Sequence, residues 1–275
     1  MGELVEVMDG VYRIRLEPIE YIGHVNCYLL RRSANSFLLV DTGTRQSGGQ
    51  LVATLRSIIG RENRIDQVLL SHMHPDHYGG TESVLEAYKA NLLYHADELR
   101  FIDLNRQLRA QRDFDFAREY GLSIDSARRF QELTGEFLHA PGTADFYPRD
   151  GGVIGTLAGE WSVIHTPGHS PGHVCLFNKA NRVMISGDHV LPKETPNIPY
   201  LPLPGYSALE AYVKSLLKIR NLSPGLLLPA HGDAFSEGEE RISYILEHHR
   251  ARLKEIFELM AGHTSLEAIA SGVRW

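Results

Sequence analysis

Cysteine is nearly absent from this 275-residue chain, which carries only Cys27 and Cys175. Each lies in an apolar, strand-like run, residues 25–29 and 174–177, where a thiol behaves as a small buried hydrophobe. Neither a disulfide framework nor a thiolate-built metal site is therefore expected. Long hydrophobic runs are also missing: none approaches the roughly 20 residues that cross a bilayer. The N-terminus lacks the basic stretch and apolar core of a signal peptide. Nor is there an excess of positive charge, since 28 Lys and Arg face 34 Asp and Glu, a formal net charge of −6. A polyanion partner calls for a basic face, so nucleic acid is not the expected ligand. What remains is the expectation of a cytoplasmic, non-membrane protein with reduced thiols, with nothing to set its oligomeric state.

Along the chain, apolar alternation at residues 11–16 and an apolar run at 36–41 read as strands. A helical pattern at 51–59 closes at Gly60, residues 67–70 form another strand, and a second helix runs from about 82 to 90. Strands alternating with helices imply an α/β layered domain. Residues 97–140 break that rhythm, with helical spacing at Leu99, Ile102, Leu104 and Leu108 and a break at 121–123. They read as an inserted helical hairpin, either a packing embellishment or a lid. Strands resume at 161–165, 174–177 and 182–188, then a proline-rich loop at 192–204 and a helix at 207–220. The two halves echo each other: an apolar strand ending in Asp41 or Asp188, a helix, then a strand leading to His72 or His231. Residues 241–260 form an amphipathic helix, and 264–267 have the form of a capping box. The reading is therefore one α/β domain over 1–240 and a helical tail over 241–275.

Histidine is plentiful, with 14 copies. Seven donor side chains follow in order: His72, His74, Asp76, His77, His169, Asp188 and His231. Imidazole and carboxylate suit a borderline cation such as zinc. A strand delivering His72, His74 and Asp76 at alternate positions would aim them to one side. With no thiolate among the donors, open coordination positions suit catalysis better than structure.

The run His72-Met73-His74-Pro75-Asp76-His77-Tyr78-Gly79-Gly80 resembles the H-x-H-x-D-H-x-G-G motif of the metallo-β-lactamase superfamily. Residues 165–173 resemble its T-P-G-H loop, and Ser186-Gly187-Asp188 and Ala230-His231-Gly232 its last two elements. The resemblance implies a four-layer αββα sandwich. It implies that His72, His74 and His169 hold one divalent metal ion, that Asp76, His77 and His231 hold a second, and that Asp188 bridges them. Zinc is the first choice of metal, with iron or manganese as alternatives. Two cations roughly 3.5 Å apart can share a hydroxide, lower its pKa and polarise a carbonyl oxygen. Asp76 and Asp188 are then the catalytic carboxylates, with Asp76 also orienting the nucleophile.

Asp41 and His173 are expected behind the ligands, holding them by hydrogen bonds. His189 reads as structural, His248 and His249 as helix-surface or packing residues, and His24 as a strand-end residue near the site. Tyr200 and Tyr206 are the candidate substrate-lining residues. Within the superfamily the chain resembles the glyoxalase II-like group, the hydroxyacylglutathione hydrolases, which implies cleavage of a thioester or ester. It departs from that group after Asp188, where residues 189–198 lack the glutathione-binding Gly-Cys-Gly stretch. Lactonases of the superfamily carry a tyrosine where this chain has Leu191. Residues 241–260 resemble the start of the winged-helix tail of the β-lactamase-like branch, so an endoribonuclease or phosphodiesterase is the first alternative. A lactonase follows, and a non-catalytic metal-binding module comes last.

Overall fold

Side-chain alternation along the central strands divides the apolar residues among three cores, which makes the molecule four layers deep. The computed structural model describes residues 2–17, 23–60, 63–100, 102–103, 142–201, 203–262 and 265–273. One sheet has the order β1 (Glu3–Met8), β2 (Val11–Arg15), β3 (Asn26–Ser33), β4 (Ser36–Val40), β5 (Arg64–Leu69), β6 (Asn91–Leu93). The other runs β11 (Leu226–Pro229), β10 (Val183–Gly187), β9 (Val174–Asn178), β8 (Gly159–His165), β7 (Val153–Thr156). Leu38 and Val40 of β4 point into the space between the sheets, where they meet Trp161, Val163, Leu176, Ile185 and Leu228. Leu39 points the other way, onto helix α1 (Gly48–Ile59), with Leu51 and Leu55, and near Val84 of α3 (Thr81–Tyr88). On the second sheet Cys175, Phe177, Met184 and Leu227 face outward onto Tyr212, Leu216 and Ile219 of α4 (Ala208–Leu222). Ile242 and Ile245 of α5 (Gly238–Met260) complete that third core. Strands apolar on both faces are expected when a sheet is covered twice. Burying each such side chain stabilises the fold by about 1.5–3 kcal/mol.

The repeat in the sequence has a structural counterpart. β3 and β4 pair antiparallel, and β4 and β5 parallel across α1. β9 and β10 likewise pair antiparallel, and β10 and β11 parallel across α4. The ends of β4, β5, β10 and β11 therefore share one rim.

Three expectations change. The strand expected to carry His72, His74 and Asp76 ends at Leu69. His72 lies in a loop, His74 caps a helical turn α2 (Pro75–Tyr78), and Asp76 and His77 belong to that turn. Pro75 at the first helical position explains the switch, because its fixed φ and missing N–H suit a helix start. The helix α6 (Leu266–Gly272) is capped by Ser265, which accepts from Ala268 N, one residue later than the capping box at 264–267 implies. The amphipathic stripe of α5 is only half covered: Ile242 and Ile245 are buried, whereas Leu253, Phe257 and Met260 are 51%, 76% and 58% exposed. Of the inserted hairpin, residues 97–100 and 102–103 are helical; the body of it, and with it the lid reading, lies outside the described residues. No helix among the described residues is long and apolar enough to cross a membrane.

Candidate metal centre

Each donor reaches the rim from a different element. His72 and His74 leave the end of β5, Asp76 and His77 ride on α2, and His169 sits in the loop between β8 and β9. Asp188 follows β10, and His231 follows β11. Gly79 and Gly80 allow α2 to dock, since a Cβ on Gly79 would lie 2.4 Å from Arg45 N and one on Gly80 2.3 Å from Thr42 O.

The side chains converge as two groups whose donor atoms lie within 4.8 Å of one another: His72, His74, His169 and Asp188, and Asp76, His77 and His231. His169 Nε2 stands 3.2 Å from His72 Nε2 and 3.3 Å from Asp188 Oδ2, and His72 Nε2 is 3.9 Å from that oxygen. The ring of His74 sits 4.4 Å from that of His169. In the second group His231 Nε2 is 3.2 Å from Asp76 Oδ2 and 3.5 Å from Asp188 Oδ1. His77 Nε2 lies 3.5 Å from both Asp76 Oδ2 and Asp188 Oδ2. Tetrahedral donors around zinc, at about 2.1 Å from the ion, stand about 3.4 Å apart. Two donor atoms, His77 Nε2 and Asp188 Oδ1, are buried without a hydrogen-bond partner. Buried polar atoms are normally paired, and a cation is the partner this arrangement fits. Asp188 alone faces both groups.

Four imidazoles have their outer nitrogen held by an oxygen acceptor. His77 Nδ1 donates to Asp41 Oδ2 at 2.9 Å, His169 Nδ1 to Asn197 O at 2.7 Å, and His231 Nδ1 to His24 O at 3.0 Å. Ser71 Oγ donates to Asp41 Oδ2 at 2.8 Å, so it accepts from His72 Nδ1 at 3.0 Å. Each Nε2 then presents a lone pair to the centre. Asp41 has φ 60, a left-handed conformation that aspartate tolerates better than most residues, and its Oδ1 also accepts from Ser71 N at 2.7 Å. His173 stands behind the bridging carboxylate. Its Nε2 accepts from Asp188 N at 3.1 Å, which leaves the proton on Nδ1 to be donated to Thr166 Oγ1 at 2.8 Å.

Electrostatics separates the two groups. Burial, with the neighbouring histidines, holds His72 well below the usual imidazole range, and burial with His169 brings His74 down to about 3. Around His77 burial works against the charged form, but Asp188, Asp76 and Asp41 outweigh it and raise the pKa. His231 is raised in the same way, chiefly by Asp188 and Asp76. Burial would also raise the two carboxylates, yet His77 and its neighbours hold Asp76 and Asp188 below the usual range. His72 and His74 are thus neutral and Asp76 and Asp188 ionised, the forms that bind cations, whereas a cation at the second group competes with the protons that His77 and His231 hold.

Other expected residues fall elsewhere. His189 is buried against the Tyr212 ring at 5.0 Å, and His249 lies 5.5 Å from the same ring. His24 contributes its carbonyl, while its own Nδ1 bonds Leu16 O at 3.1 Å. Tyr206 lines a cavity of about 410 Å³ with His165, Pro167, Lys214 and Lys218; Tyr200 is 60% exposed. The sequence reading missed Ser71, Glu98 and the Asn197 carbonyl. Ser71 directly precedes His72; Glu98 lies outside every donor motif, and a backbone carbonyl leaves no sequence signal. A further group, His95, Asp97 and His165, gathers its donor atoms equally closely. Its two rings stack at 3.9 Å and 13°, so their in-plane lone pairs run parallel and do not converge. His95 Nδ1 already accepts from Asp97 N at 3.2 Å, and His165 Nε2 donates to Pro171 O at 2.9 Å. That cluster is hydrogen-bonded packing.

An αββα sandwich with such a rim of histidines and aspartates defines a metallo-hydrolase. The model of the metallo-beta-lactamase superfamily matches residues 21–231, and the chain belongs to that superfamily. It is 28% identical over 241 residues to the probable metallo-hydrolase YflN of Bacillus subtilis (strain 168), covering 84% of this chain and 87% of that protein. To the thioesterase pkgB of Emericella nidulans it is 24% identical over 269 residues, covering 94% of this chain and 63% of pkgB. A metallo-beta-lactamase family protein from Thermus thermophilus superposes with a TM-score of 0.78 at 26% identity, covering 94% of this chain and 86% of the other.

Proposed function

We propose that this protein hydrolyses a thioester or ester with two divalent metal ions, zinc first among them. The observation that carries the reading is the pair of donor groups meeting at Asp188, each with Nε2 atoms turned inward. His72, His74 and His169 with Asp188 would hold one ion, and Asp76, His77 and His231 with Asp188 the other. Divalent ions held there supply Lewis acidity, lowering the pKa of water and polarising the carbonyl oxygen. Asp76, ionised at neutral pH, orients the attacking water through a hydrogen bond and accepts its proton. Asp41, Ser71, Asn197 and His24 keep the imidazoles from turning, so the centre does not reorganise as charge develops. The carbonyl carbon is attacked, the bond to sulfur or oxygen breaks, and the departing group takes the proton from Asp76 to leave as thiol or alcohol, with the acyl part released as the acid. The name of pkgB as a thioesterase supports a thioester over other bonds. Tyr206 and the loop at 192–206 are the proposed substrate contacts.

The test is a panel of glutathione and CoA thioesters, simple esters, lactones and short RNA, run with and without chelator. Thioester or ester turnover that chelator abolishes supports the reading. Cleavage of RNA alone, with a steep salt dependence, overturns it in favour of a phosphodiesterase.

A further inference from the structure

The chemistry just described does not use Glu98, yet this glutamate is 0% exposed. Its Oε1 accepts from the Ser170 hydroxyl and from Gly172 N at 2.9 Å. Ser170 follows His169, so one side chain braces the loop that carries this histidine. The fit is close, since a Cβ on Gly172 would stand 2.7 Å from Glu98 Cγ. Burying a carboxyl is costly unless its hydrogen bonds are supplied; Oε1 receives two from the loop at 168–172, whereas Oε2 is buried without a partner.

We propose that Glu98 is a positioning residue for the three-histidine donor group. It fixes the loop at 168–172, and so sets the metal affinity of the group that His169 forms with His72 and His74, without acting on Asp76, His77 and His231. The proposal rests on reading the seven donors as two cation sites. Among the described residues the side-chain hydrogen bonds of Glu98 go to the loop at 168–172, which carries no donor of the second group, so the effect on the two sites is unequal.

The experiment titrates metal-free protein with Co²⁺, following its visible spectrum and the bound equivalents. Wild type should take up two equivalents. Glu98→Ala should weaken one of them about 10–100-fold, the scale for losing a residue that orients a metal ligand, and leave the other unchanged. Glu98→Gln should retain both, because its amide oxygen can accept the same two bonds. Asn178→Ala is the stability control: Asn178 is buried at the far end of β9 and donates to Ala158 O at 2.8 Å. That variant should melt earlier and still bind both equivalents. If Glu98→Ala does not fold, Glu98→Asp carries the test and should show the same one-sided loss. Unchanged affinity at both sites, or equal weakening of both, overturns the proposal. A wild type that binds no Co²⁺ refutes the two-cation reading beneath it.

Discussion

Asp41 and Asp188 do different work, and substitution separates them. Asp41 receives three donors, Ser71 N, Ser71 Oγ and His77 Nδ1, on its two oxygens. Asn can adopt the left-handed backbone found there, so Asp41→Asn keeps the turn but sets an NH₂ group against donors. Metal affinity at the Asp76, His77 and His231 group should fall about 10–100-fold, as read by competition with a chelating dye. Asp188 faces both groups, so Asp188→Asn should lower loading of both ions and turnover together, by at least that factor. Full metal content with full activity in that variant contradicts the bridging role. Glu98 adds a pH signature. Burial pushes its carboxyl from the ordinary 4.5 up to about 7, against the hydrogen bonds from Ser170 and Gly172. The folded metal-free protein therefore holds that proton more tightly than the unfolded chain. Its contribution to stability is present at low pH and is lost as pH rises from about 4.5 to about 7. Thermal melts of metal-free protein should show Glu98→Gln gaining on wild type across that interval, by roughly 3 kcal/mol at most. A constant difference across it would contradict the shift.

Among the elements, the loop carrying His169 depends on its contact with α4. Gly168 has φ +143, and a Cβ there would lie 2.4 Å from Tyr212 Cβ and 2.5 Å from its Cα. Gly168→Ala should strain the turn and push the loop off the helix, costing about 1–3 kcal/mol and lowering metal content with it. Gly155→Ala, with nothing within 4 Å of the added methyl, should change neither. Calorimetry and elemental analysis of the two variants make the comparison. Most elements were legible because paired faces leave a local mark: Leu38-Leu39-Val40 is apolar throughout since β4 is covered on both sides. The turn bearing Asp76 and His77 was not read, although Pro75 signals a helix start, because alternation of His72, His74 and Asp76 imitates a strand. Glu98 was missed for a related reason, as it lies in an acid-rich stretch that resembles a solvated helix face. The seven donors were legible from their order and residue types. The Asn197 and His24 carbonyls were not, since every residue offers one.

At the scale of the molecule, two β-α-β units pack through the core around Trp161 and bring four strand ends to one rim. Neither half assembles a donor group from its own residues alone: His169 and Asp188 complete the group begun by His72 and His74, and His231 completes that of Asp76 and His77. Metal binding and the pairing of the halves are therefore linked, and ions that bind only the folded chain stabilise it. Added Zn²⁺ should raise the melting temperature of metal-free protein. The most direct measurement is elemental analysis of purified protein beside thioester turnover before and after chelation. Two divalent ions per chain are expected, with activity that disappears on their removal and returns when metal is added back. Turnover that persists in fully metal-free protein would contradict that dependence.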